Sequence, residues 1–274
     1  MDFHNRTASE VAGIRRRRLL TGILLGVFIA LMPCGFAVPC GLGIALKHIQ
    51  PMFTVFGVTA VFLPVIGLGG TILMMLDRSR YARSWAIAQF AVENQYSFVY
   101  TPEVELFGFL DQIQVFSEGN TSSAANFIQG KYKKRAFTLM DYSYQVGFGQ
   151  YSSAYTQTVV VLHDAVEGAP NFVLSPRGWL DRFSEMFGGK SIEVPDAKQF
   201  NKAFVLAGMR PSDIAARFDS DELLELCLED PTLAMEAYRG DLIVFRDNRL
   251  LHARDYKDFL DRAMMMARLL RRTE

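Results

Sequence analysis

The sequence predicts an α+β protein: an N-terminal transmembrane helical hairpin followed by a soluble domain with a mainly antiparallel sheet and flanking helices. Three observations carry this expectation. From Leu19 to Leu76 the only ionisable side chains, thiols apart, are Lys47 and His48, and charge is concentrated on either side of that window. From Arg135 to Tyr144 the residues alternate with the period of a strand and are rich in aromatic and β-branched types. Further along, strand patterns neighbour one another instead of alternating regularly with helices, which excludes a βαβ series.

The first element is basic. Residues 1–18 carry Arg6, Arg15, Arg16, Arg17 and Arg18 against Asp2 and Glu10. The first apolar run, about 19–44, starts directly after the arginines, and the second occupies about 52–76. About 20 helical residues cross a hydrocarbon core, so each run is long enough. The link "KHIQP" is too short for anything but an antiparallel hairpin. Arg15 to Arg18 with Arg78, Arg80 and Arg83 outweigh Lys47, so the positive-inside rule puts both termini in the cytoplasm. Tyr81 and Trp85 then stand at the interface as an aromatic belt. Gly22 and Gly26 make a small-xxx-small pattern that packs the two spans together or pairs subunits. A rival reading takes "GFA" at 35–37 as a signal-peptide cleavage site, which leaves one span.

Cys34 and Cys40, each directly after a proline, fall near the outer end of the first run. Six residues of helix turn them onto different faces, so Pro33 and Pro39 read as kinks and the thiols as small apolar fillers. A disulfide between them is the alternative, on the oxidising side of the membrane.

From residue 77 onward the chain reads as a soluble α+β domain with a mildly acidic balance, a poor match to nucleic-acid binding. A helix continues out of the membrane over 77–98, and a second is expected over 102–116, with Pro102 at its first position. Residues 117 onward open as a polar loop that leads into the alternating strand at 135–144. A second strand covers 155–164, joined to the first by the flexible loop 147–154. "PNFVLSP" reads as a short strand ended by Pro176, and 177–189 as an amphipathic helix. "KSIEVP" and "KAFVLAG" read as short strands around a small turn or helix at 196–201. Helices are expected over 211–218 and over 220–230, the latter capped by Ser220. A hairpin turning at Arg239-Gly240 precedes a last helix over 255–272, for which Asp255 is the natural cap.

Motifs with chemical content are sparse. The sequence holds no CxxC, HExxH, GxxxxGK[ST] or GxSxG. His163 and Asp164 end an apolar strand, where a sheet presents groups to a cleft, but neighbouring strand residues face opposite sides. The ordinary reading of His163 is a strand-end histidine bonded to a loop carbonyl. The four histidines share no ligand spacing, so neither a metal nor a cofactor is expected. Cys227 sits among leucines with no basic neighbour in sequence and reads as a small hydrophobe. Asp219, Asp221, Glu222, Glu225, Glu229 and Asp230 read as a solvated acidic face. "MMMARLLRR" at 264–272 reads either as a partner surface of adaptable methionines beside basic groups or as a core face.

The order of parts, with "FTLMDYSY", "PNFVLSP" and "YRGDLIVFR", resembles an uncharacterised family of bacterial two-span membrane-anchored proteins with a cytoplasmic α+β domain. The resemblance covers nearly the whole chain, rests on pattern and implies no activity. The expected function is a membrane-anchored interaction or scaffold domain in the bacterial inner membrane, with the lipid bilayer and a homo-oligomer or membrane protein as partners. The alternative is a membrane-bound enzyme, a hydrolase using His163 with Asp141 or Asp164. A channel is the weakest reading, because the spans hold no carboxylate.

Overall fold

The computed structural model describes residues 7–27, 75, 81–101, 121–147, 152–177 and 191–271. The chain divides into two compact units, residues 8–86 and residues 87–274 with 1–7. The second unit is α+β and is built on an eight-stranded sheet in the order β1-β2-β3-β4-β8-β7-β5-β6. Its strands are β1 (Ser97–Val99), β2 (Thr121–Tyr132), β3 (Arg135–Val146), β4 (Ser153–Leu162), β5 (Phe172–Pro176), β6 (Phe204–Gly208), β7 (Leu233–Tyr238) and β8 (Asp241–Arg246). Every neighbouring pair is antiparallel.

The described helices are α1 (residues 7–27), α2 (residues 81–93), α3 (Lys198–Ala203), α4 (Pro211–Ala215), α5 (Asp221–Leu228) and α6 (Tyr256–Leu270). Residues 28–74, which hold most of the two apolar runs, lie outside the described residues, as do Arg78, Arg80, Cys34, Cys40, the helix expected over 102–116 and all but Arg177 of the helix expected over 177–189. Among the described residues no helix is long and apolar enough to cross a membrane.

Register sorts the sheet into two faces. Phe137, Leu162 and Leu242 stand in one row, and Arg246 shares their face two turns of the pleat away. Helices α2 and α6 and the segment that follows α2 cover this side: the Phe90 ring meets Tyr256 edge-on at 5.3 Å, Tyr96 meets Phe137 at 4.9 Å, and Arg246 lies over Phe259 at 5.1 Å. Phe172, Phe200 and Phe218 continue the layer toward β6. The opposite face carries Phe127, Met140, Tyr142, Val159, Val161, Ile243 and Phe245, also buried. Both faces of the central strands are therefore apolar, which accounts for the unbroken run "TVVVL" in β4.

Several elements differ from the sequence expectation, each for a physical reason. The stretch expected as a polar loop is β2: its alternation is broken by a bulge between Ala125 and Ile128, where Asn126 takes φ 56°. The helix expected over 77–98 ends at residue 93, and Ser97–Val99 pairs with β2 as an edge strand. That close approach needs Gly130, where a Cβ would collide with the Tyr96 ring. In "KSIEVP" the described residues, 191–195, are irregular, although Ile192 donates to the Leu206 carbonyl at 2.6 Å. The Arg239-Gly240 turn is as expected, with φ of 50° and 93°. Ser220 caps α5 through the Leu223 N–H at 3.4 Å, whereas Asp255 makes no capping bond because a 3₁₀ turn, Ala253–Asp255, leads into α6 instead.

Candidate functional site

The pairing β3·β4·β8 decides the surroundings of His163. Thr138 stands opposite Val161 and Leu162 opposite Leu242, so Thr138, His163 and Asp241 share one face at one end of three adjacent strands. The His163 Nδ1 lies 3.1 Å from Asp241 Oδ2, and its Nε2 lies 3.0 Å from Thr138 Oγ1. A neutral ring donating from Nδ1 to the carboxylate accepts the Thr138 hydroxyl at Nε2. Gln129 Nε2 donates to Thr138 Oγ1 at 3.4 Å, and the Asp164 N–H donates to Asp241 Oδ1 at 2.9 Å. The result is one polar row running from β2 to the turn after β4.

The order hydroxyl, imidazole, carboxylate is that of a nucleophile relay. Access argues against that use: Thr138 is 1% exposed, enclosed by β2 and β4, so an incoming carbonyl carbon has no path to Oγ1. His163 and Asp241 are about a third and a quarter exposed, which leaves the imidazole itself reachable from solvent. The row also locks the turn at 163–168, where Asp164 takes φ 50°.

The sequence paired His163 with Asp141 or Asp164, and the structure corrects both. Asp141 stands on the opposite sheet face, where Oδ2 accepts from Asn126 Nδ2 at 2.8 Å and Oδ1 from Thr158 Oγ1 at 3.0 Å. Asp164 meets the row through its backbone N–H. The loop carbonyl expected as the histidine's partner is likewise replaced by a carboxylate and a hydroxyl. Asp241 was hidden from sequence reasoning because it sits 78 residues away in the last hairpin, and only the β4·β8 register brings it close.

A second cluster lies around the β2–β3 turn and the end of α6. A groove of about 600 Å³ is lined by Lys133, Lys134 and Arg135 from the turn and by Met264, Met265, Arg268 and Arg271 from the helix side, with Asp261 the lining carboxylate. Arg135 Nη1 donates to the carbonyls of His163, at 3.2 Å, and Asp164. Arg271 donates through Nε to Ala165 O at 2.7 Å and through Nη2 to Asp164 O at 3.3 Å. Burial and then the Arg135 charge hold the Arg271 guanidinium below its ordinary value, against an opposing pull from Glu167.

Other expected features resolve as follows. Cys227 is buried, and burial pushes its thiol up to about 12; Arg262, a basic neighbour that the sequence did not reveal, pulls the other way and loses. The acidic face of α5 is partly paired: Glu222 meets Arg268 at 3.4 Å, Glu229 meets Arg262 at 3.3 Å, and Asp230 is buried against Arg246. In the N-terminal unit, Arg15 to Arg18 are exposed, and among the described residues nothing beyond the helix itself lies within 4 Å of a Cβ built at Gly22 or Gly26. Past the arginines, Leu19, Ile23, Leu24 and Val27 are each more than half exposed. The Thr21 hydroxyl turns inward to the Arg17 carbonyl at 2.9 Å, which satisfies it within the helix.

No family model matches the chain, and no curated protein does. Among solved structures, the crystal structure of the mycobacterial trehalose monomycolate transport factor A, TtfA, aligns at 14% identity with a TM-score of 0.47, covering 69% of this chain and 94% of that chain.

Proposed function

We propose that the chain is an interaction or scaffold domain anchored in a bacterial inner membrane by the two apolar runs, with both termini cytoplasmic, and that it belongs to the two-span family its pattern resembles. The observation that carries the membrane reading is α1. Four exposed arginines are followed by leucine, isoleucine and valine side chains that are more than half exposed, and the one hydroxyl in α1 past the arginines, that of Thr21, is internally bonded. Such a surface is costly in water and favourable in lipid, and the arginines suit the anionic cytoplasmic leaflet.

Three measurements test the reading. Alkaline carbonate should leave the chain in the membrane pellet, and reporters fused after Glu274 and within "KHIQP" should report opposite sides. In situ cross-linking followed by mass spectrometry should then recover a reproducible partner or a homo-oligomer, and a monomer with no partner sinks the scaffold role. The rival, a membrane-bound hydrolase, is favoured by one observation, the solvent-reachable His163 imidazole bonded to Asp241. Loss of a cellular function in His163→Gln with stability unchanged would favour it.

A further inference from the structure

The groove between the β2–β3 turn and α6 combines two features that a solvated surface has no need to combine. Five basic side chains converge on it, and the acidic group among its lining residues, Asp261, is taken by Lys133 at 2.6 Å. Arg268 reaches Glu222 at 3.4 Å, but Lys134, Arg135 and Arg271 form no ion pair among the described residues. The guanidiniums of Arg135 and Arg271 share the Asp164 carbonyl, so two like charges are held side by side by neutral oxygens. Each keeps N–H groups beyond those bonds, the donors that a phosphate oxygen takes in pairs. The turn itself places Lys133 and Lys134 at φ 47° and 70°, positions where glycine or asparagine fits without strain.

The second feature is apolar. Met264 and Met265 line the same groove, and Met265 is 40% exposed. Flexible thioether chains next to uncompensated cations suit an amphiphile, with its charge on the arginines and its hydrocarbon on the methionines. About 600 Å³ is within the range of small-molecule sites. We propose that this groove binds the phosphate-bearing headgroup of an anionic phospholipid, with the first methylenes of its chains against Met264 and Met265. The proposal rests on the membrane reading above for the source of the lipid. Free phosphate would leave the methionines unused, and an acidic peptide would need a longer cationic track than one turn and one helix end.

The test uses the full chain in a non-ionic detergent, titrated with dihexanoyl phosphatidylglycerol and followed by native mass spectrometry. Dihexanoyl phosphatidylcholine, inorganic phosphate and a polyglutamate peptide are the comparison arms. One phosphatidylglycerol should bind per chain, in a salt-sensitive manner and about tenfold or more tighter than phosphatidylcholine. The triple variant Lys133→Gln, Lys134→Gln, Arg268→Gln should weaken binding by about two orders of magnitude, since each basic group near an anionic headgroup counts for about a factor of five. All three side chains are exposed, so the fold is retained. Neutralising Lys198, Lys202 and Arg210 instead should change binding by less than about twofold. Met265→Ser should weaken the lipid and leave any phosphate binding unchanged. Equal binding of phosphatidylcholine, phosphate that competes as well as the lipid, a tighter polyglutamate complex, or an unaffected triple variant each overturns the proposal. Carbonate extraction scores the anchor separately: a chain that is released yet still binds phosphatidylglycerol refutes the anchor and keeps the groove.

Discussion

Replacing Asp241 by alanine is the most informative single perturbation, because it separates a structural row from a chemical one. Two hydrogen bonds end on this carboxylate, from His163 Nδ1 at 3.1 Å and from the Asp164 N–H at 2.9 Å. A hydrogen bond to a charged group is worth about 1.5–3 kcal/mol net when well buried. Here His163 and Asp241 are about a third and a quarter exposed and Asp164 is exposed, so water replaces part of each loss. The sum comes to about 2–3 kcal/mol for Asp241→Ala and about 1 kcal/mol for Asp241→Asn, whose amide oxygen still accepts from Asp164. Urea unfolding of the full chain in detergent, followed by far-ultraviolet circular dichroism, measures both. A double-mutant cycle with His163→Ala should give a coupling of about 1 kcal/mol. The reasoning is refuted if Asp241→Ala costs less than about 0.5 kcal/mol with an unchanged denaturant slope, or if the cycle shows no coupling.

Two further perturbations test the interior. Gln157 is fully buried on the tyrosine-bearing face, and among the described residues neither its Nε2 nor its Oε1 has a hydrogen-bond partner, so Gln157→Leu should raise stability by about 1–2 kcal/mol in the same urea assay; destabilisation would mean the amide is satisfied in solution. Burial pushes the Asp230 carboxyl up, but the Thr232 hydroxyl and Arg246 outweigh it and hold the group below the ordinary carboxylate range. With the folded value depressed, its stabilisation is complete above the unfolded value of about 3.9 and is lost as pH falls through the folded one. Asp230→Asn should therefore cost about 3 kcal/mol at pH 7, with the difference from wild type shrinking below about pH 4; a pH-independent difference contradicts the ion pair.

Legibility of the fold followed locality. The strand expected over 135–144, which runs on to Val146, the Arg239-Gly240 turn and the Ser220 cap are set by neighbours within a few residues, and each was legible in the sequence. β2 did not, because Asn126 inserts a bulge and the serine, alanine and glycine around it carry little strand propensity; pairing with β3 supplies what propensity lacks. Asp255 failed as a cap for the same kind of reason, since its backbone joins a 3₁₀ turn that its own side chain does not select.

By itself, the sequence determined the division of the chain into a basic, apolar N-terminal part and an α+β domain, because hydropathy and charge act through composition over tens of residues. It also singled out His163. Only the tertiary structure decided what His163 touches: Thr138, His163 and Asp241 are scattered over three strands, and register alone sets which carboxylate arrives at the ring. The basic groove was likewise unreadable. "KYKKR" and "MMMARLLRR" lie more than 120 residues apart, and they meet because α6 packs back along the sheet beside the β2–β3 turn, as the Tyr132 bond to Asp261 records. Long-range pairing places charge where local pattern has no means of indicating it.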